Sequence, residues 1–305
     1  MLGACAAAAA LLAVAPPRPA AAGGQPDTFR IGMVAEPGAA NTVAGLGMLT
    51  DAYSKALGMK VEFLVARDYG ALIEAQAAGQ VQYAVYSALA YAAASQRCGC
   101  VVPLAAPTDA DGAIGIRSIL IARDGKVTGP DGLASHEVAV APRENVAGWL
   151  LPMAELAGLE TGLSGNPPFL RRGASASQAE AMLRDGAADA LFGWQPAAAD
   201  GAADPPGGTL ARLEAAGIDP SALKVVWKSD LLRYGPHAVL KSLDPELRRR
   251  LGVFLVNLRA QSPEIYDLLE TRHSGGFAVT GEADYHSAEA VLRAISAEGQ
   301  APQGR

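Results

Sequence analysis

The stretch VAVAPRENVAGWLLP, residues 138 to 152, sets Glu144, Asn145, Val146 and Ala147 in a short turn between a strand-like apolar run and a helix-like one. Such a turn aims uncommitted backbone N–H groups forward, because the first amides of a helix have no partner inside it. The chemistry on offer is the holding of electron-rich atoms by an amide and backbone donors, with a carboxylate nearby and no hydroxyl. Cys98 and Cys100, in QRCGCVVP, form the second candidate group. Two thiols separated by one glycine can close a short disulfide, hold a thiophilic centre as thiolates, or do nothing chemical. Four histidines, His136, His237, His273 and His286, are scattered without metal-type spacing, and a lone C-x-C lacks the ligand spacing of a zinc site. His237, in RYGPHAVL, is the one placed to approach a cleft. No G-x-S-x-G, H-E-x-x-H or phosphate-loop lysine motif occurs, and a cysteine hydrolase would open a helix with its nucleophile, whereas Cys98 follows one. Neither catalysis nor a cofactor or metal is expected.

Alternating elements must carry these residues. FRIGMVA, KVEFLVA and VQYAVYS read as strands, and ANTVAGLGMLTDAYSKALG, YGALIEAQAAG and ALAYAAASQRC as the helices between and after them. That order predicts a parallel sheet with helices on its faces and a ligand crevice beyond the carboxyl ends of its strands. IGIRSILIARDG reads as a hinge strand into a second unit: HEVAVAP (strand), VAGWLLPMAELAG and SQAEAMLRDG (helices) and ADALFGW (strand). QPAAADGAADPPGG is a surface loop, LKVVWKS is expected to carry the chain back, and DPELRRRLGVFLVNLRAQ and DYHSAEAVLRAIS complete the first unit. The expected architecture is α/β: two Rossmann-like lobes joined by a hinge of two crossings. Residues 27–118 with 228–305 form lobe one, and 119–227 form lobe two.

The 305 residues are half apolar, enough for two cores, and the net charge of −6 with no basic block excludes the footprint of a nucleic-acid binder. The basic run LRRRL, residues 247 to 251, reads as a solvated helix face. Residues 1–26 hold an apolar run too short to span a bilayer, then prolines and an Ala-x-Ala pattern at Ala20 to Ala22, as in a cleavable secretory signal. No basic residue precedes that run, and Cys5 precedes it where a lipid-modified cysteine would follow, so export without a lipid anchor is expected.

The opening FRIGMVAEPG, the block LGMKVEFLVARDYGALIEAQAAGQVQYAVYSALAYA, and then GIRSILIARDG, AMLRDGAADALFGW, LKVVWKSDLLRYGPHAVLKSLDPELRRRL and GGFAVTGEADY, in that order, resemble the phosphate/phosphite/phosphonate-type periplasmic substrate-binding proteins of ABC importers. The resemblance implies a type II periplasmic binding fold, no catalysis, a small-molecule solute, a membrane permease as partner and a monomer. It carries Tyr69 and Tyr91 over to cleft tyrosines, and it aligns Asn145, Val146, Ala147 and Gly148 with the hydroxyl-rich anion cradle. Ser175 matches the serine of the second-lobe turn, followed by Ala176 where the family commonly has histidine. Trp194 falls where amine-binding members carry an acid. Fewer polar partners and an added indole favour a neutral, smaller or more apolar solute over an aminophosphonate. A runner-up keeps the fold: an arsenite or related metalloid receptor signalling to a membrane kinase, with Cys98 and Cys100 as ligands. A secreted enzyme on the same fold is the third reading.

Overall fold

A computed structural model describes residues 27–35, 45–156 and 167–300, with side chains to 297; the signal segment, Cys5 included, lies outside the described residues. β1 (Thr28–Val34), β2 (Lys60–Ala66) and β3 (Tyr83–Val85) run parallel, with α1 (Leu46–Leu57) and α2 (Tyr69–Ala77) between them, and α3 (Ala88–Cys98) leads into β4 (Val101–Thr108). The second half of the alternation is β5 (Gly115–Arg123), β6 (Val138–Val140), a π-helical turn at Val146–Leu150, α4 (Leu151–Leu156), β7 (Leu170–Arg172), α5 (Ala176–Arg184), β8 (Ala190–Ala197), α6 (Gly208–Ala215), β9 (Leu223–Lys228) and β10 (Leu232–Arg233). The chain then returns through β11 (His237–Leu240), α7 (Pro245–Gln261), α8 (Pro263–Leu269), β12 (Gly276–Val279) and α9 (His286–Gln300).

These strands form two six-stranded sheets, one in the order β12-β4-β11-β3-β1-β2, the other β10-β5-β8-β6-β7 with β9 also on β5. Each sheet is the floor of one lobe. In lobe one, α1 and α7 bury Leu49, Tyr53, Leu251 and Leu255 on one face, while α2, α3 and α9 bury Leu72, Tyr91, Ala288 and Val291 on the other. Such two-sided burial is why β1 and β2 read as near-continuous apolar runs. Lobe two repeats the arrangement with Trp149 and Phe192 on one face and Ile119, Leu183 and Leu213 on the other.

β5 is hydrogen-bonded along its length to β8, and β10 pairs with β5, so both belong to the second sheet. LKVVWKS does not carry the chain back; it is β9, antiparallel to β5. We therefore place the crossings at 109–114 and 234–236, outside the expected changeovers at 118/119 and 227/228. The crossings are tied to each other: the Tyr234 N–H donates to the Ile114 carbonyl at 3.1 Å, and the Tyr234 phenol to Asp109 Oδ2 at 2.6 Å. A third link is apolar, where Leu151 and Val146 of lobe two join the cluster of Tyr91, Tyr285, Ala288 and Val291 in lobe one.

Candidate functional site

In both lobes the carboxyl ends of parallel strands open onto helix N-termini. β6 ends at the Asn145 turn, β7 at the Ser175 turn, and Trp194 lies toward the end of β8. Asn145 caps its helix: Oδ1 accepts the Gly148 N–H at 2.7 Å. The planar amide thereby presents its NH2 end as a donor. Val146 and Ala147 follow as the first two helical residues, whose amides have no carbonyl one turn back to bond. Ser118 holds the turn from behind, its hydroxyl donating to the Ala147 carbonyl at 2.6 Å. Glycine is required at 148, because a Cβ there would stand 2.5 Å from the Ala141 methyl and 3.1 Å from Asn145 Oδ1. Glu144 is exposed beside the turn.

Ser175 caps α5, accepting the Gln178 N–H at 3.1 Å, and Ala176 follows it into a cavity of about 60 Å³. Asn145, Gly148, Ala176, Glu180, Trp194 and Thr209 are among its walls. The volume is far below the roughly 300–1,000 Å³ of a drug-sized pocket. It fits one end of a small solute. Two of these, Glu180 and Thr209, escaped the sequence reading, as did Arg212 behind them. Arg212 Nε lies 3.1 Å from each Glu180 oxygen, and the guanidinium carbon lies 5.4 Å from the Trp194 ring centroid. The signal for Glu180 was an acid on the buried face of SQAEAMLR, beside Ala179 and Leu183.

Lobe one contributes α2, capped by Asp68, and α3, capped by Ser87. Tyr69, the first residue of α2, is 39 % exposed, and its ring lies 6.4 Å from that of Tyr86 at the end of β3. The two predicted tyrosines part company here. Tyr91 is 1 % exposed with its ring 4.7 Å from that of Tyr285, just before α9, and shares a cluster with Ala288 and Val291 of α9, which takes it off the open cleft surface. Burial pushes the pKa of its hydroxyl up. Val146 packs on the same apolar cluster, which brings these two candidates to one seam between the lobes. His237 is a core group: its Nδ1 meets the Tyr83 hydroxyl, and complete burial pushes its pKa down to about 4. Where the chain turns back toward lobe one, Glu155 of α4 accepts the Asp230 N–H at 3.1 Å, and burial pushes its carboxyl up to about 7.

The cysteines are bonded to each other. Cys98 ends α3 and Cys100 precedes β4, so the pair stands at the amino edge of the sheet. The eleven residues of α3, a rise of about 16 Å, separate it from the strand ends that face the cleft. A disulfide offers no thiolate to a metalloid, which corrects the expectation of Cys98 and Cys100 as ligands at the crevice.

Comparison with known proteins gives the family and the fold. A family model described as the periplasmic substrate-binding protein of phosphonate ABC transporters matches residues 31–285. The phosphate-import protein PhnD of Mycolicibacterium smegmatis is 29% identical over 245 residues, 77% of this chain and 73% of that protein. Among solved structures, a Xanthomonas citri protein bound to chloride superposes with a TM-score of 0.57 at 17% identity, covering 89% of this chain and 100% of that one. Transferrin 1 of Manduca sexta gives 0.61 at 12% identity over 91% of this chain and 47% of its own. PhnD1 of Prochlorococcus marinus with methylphosphonate gives 0.50 at 15% identity, over 88% and 98%. At such identities the structures speak for the fold alone, and the family match supplies the rest. The chain belongs to the periplasmic substrate-binding proteins of phosphonate ABC transporters, non-catalytic receptors of type II fold whose partners are a small solute and a membrane permease.

Proposed function

We propose that this receptor closes its two lobes on one small oxyanion-like solute that carries no ammonium group, and presents the closed form to the permease. The carrying observation is the Asn145 turn: Asn145, whose side-chain oxygen is spent on the Gly148 N–H and whose NH2 is left as a donor, lines a cavity of about 60 Å³ at the start of a helix whose first amides, those of Val146 and Ala147, have no carbonyl one turn back. Donors at a helix N-terminus suit a partial or single negative charge. Ser175 and Trp194 complete the lobe-two half, and Gly148 keeps the backbone close. Tyr69 supplies the exposed ring of lobe one, and Tyr91 acts as a wall from within the seam. Closure shifts a population rather than creating a new fold: solute that touches both lobes favours the closed arrangement by its differential affinity.

The receptor acts as a monomer, exported through a cleavable signal. The metalloid-sensing alternative is disfavoured by the Cys98–Cys100 bond and its distance from the cleft, and the enzyme alternative by the family match.

A thermal-shift panel of phosphate, phosphite, methylphosphonate and arsenite tests the proposal. A solute at a hundred times its Kd stabilises the folded state by about 2.7 kcal/mol. Methylphosphonate or phosphite is expected to raise Tm and arsenite to leave it unchanged under oxidising conditions. A shift with arsenite alone would reverse the assignment.

A further inference from the structure

We infer that Glu180 and Arg212 form a specificity gate in lobe two: an acid built into the cavity wall whose charge an internal guanidinium cancels, so that ammonium-bearing solutes are rejected. This inference rests on the proposed receptor function and names the class that the site excludes.

Glu180 lines the cavity, and its side chain is only 12% exposed. Left alone, a carboxylate there would attract an ammonium group and repel an oxyanion. Arg212 comes in from the solvent side, 43% exposed, and does not line the cavity. Its Nε stands 3.1 Å from both Glu180 oxygens, and Nη2 donates to Oε1 and, at 3.0 Å, to Thr209 Oγ1. Charge-assisted bonds of this kind balance the carboxylate's negative charge at the cavity wall. Thr209 completes the set: its hydroxyl donates to Glu180 Oε1 at 3.3 Å and accepts the Trp194 N–H at 3.0 Å. The Thr209 side chain occupies the space a Cβ at Gly193 would need, 2.6 Å from that position. Acid, cation, threonine and indole backbone thus form one connected network. An ammonium entering the cavity finds the acid's charge already engaged by the guanidinium, while an oxyanion meets a charge-balanced wall. Arg212 acts through Glu180 and is a positioning residue.

The test compares methylphosphonate with 2-aminoethylphosphonate by calorimetric titration of the full mature chain. Wild-type protein should prefer methylphosphonate by at least tenfold. Arg212→Met should move the ratio of the two affinities at least tenfold toward the amine, and Arg212→Lys should restore most of the preference. The double variant Glu180→Gln with Arg212→Met should return the ratio to the wild-type value, although it lacks the same salt bridge. A purely structural role would leave the double variant as impaired as the single one. If Arg212→Met fails to fold, Glu180→Gln alone decides: it leaves Arg212 uncompensated and should move the ratio at least threefold away from the amine. Unmoved ratios in folded variants, or a double variant that stays shifted, overturn the inference alone. Failure of wild-type protein to bind either solute overturns the receptor assignment and the inference with it.

Discussion

In lobe one a buried row of polar side chains is spent on itself, whereas in lobe two polar side chains line a space that a solute can enter. Tyr53, Tyr83 and His237 run in a line through the first core, with the two phenols 3.0 Å apart and His237 at the end. All three are 1% exposed or less. In lobe two the Asn145 side chain borders a cavity, along with Glu180, whose carboxylate Arg212 and Thr209 already engage. Both arrangements satisfy the rule that buried polar groups find partners. They differ in where the last partner comes from: from within the protein in lobe one, from the solute in lobe two. Changes in the first lobe should therefore move stability, and changes in the second should move affinity.

The largest effect is expected in the first core. Leu251→Ala removes a fully buried side chain between α7 and the sheet and should cost about 3 kcal/mol in denaturant unfolding. Solute affinity of the protein that remains folded should stay within twofold. A comparable loss of affinity would break the separation of roles.

Next comes acid. The folded pKa of His237 lies near 4, below the ordinary 6.5. Between those values the unfolded chain takes up a proton that the folded chain refuses, so stability falls as pH drops through that window and levels off below it. The span corresponds to about 3 kcal/mol at most. In unfolding curves between pH 7 and pH 4, His237→Asn should show a shallower slope than wild type. An unchanged slope would place the acid sensitivity elsewhere.

How much of this was legible follows the physics of range. Strand and helix alternation is local, so the two α/β lobes could be read from apolar periodicity, and so could the turn at Asn145 that opens a helix, while Ser175 came from the family resemblance. The crossing points could not, because the sheet to which β5 and β10 belong depends on pairing with β8, far along the chain. Glu180 and Arg212 stand 32 residues apart and meet only because α5 and α6 pack beside β8. The burial of Tyr91 was hidden for a related reason: a tyrosine one turn into a helix suits an exposed cleft wall as well as a covered one, and only the position of Tyr285 decides its exposure.

A smaller effect sharpens the account of lobe two. Asn145→Asp keeps the oxygen that caps Gly148 and exchanges the donor end of the amide for a second acceptor. Stability should change by no more than about 0.5 kcal/mol, since aspartate and asparagine cap equally well, while oxyanion affinity falls at least tenfold. An equal loss of both would mean that the turn serves the fold alone.

The smallest effect on affinity belongs to the cysteines. Closing a loop of three residues restrains the unfolded chain little, so the double variant Cys98→Ser, Cys100→Ser should lose only about 1–2 kcal/mol. Its affinities for phosphite, methylphosphonate and arsenite should equal those of wild type. A selective loss toward arsenite would return the pair to the binding site.

Calorimetric titration of the mature protein with methylphosphonate, run beside Asn145→Asp, tests the whole account most directly. One saturable site per chain in wild type, weakened at least tenfold in the variant, is the predicted result. Equal affinity in the two proteins, or no heat with any oxyanion, would contradict it.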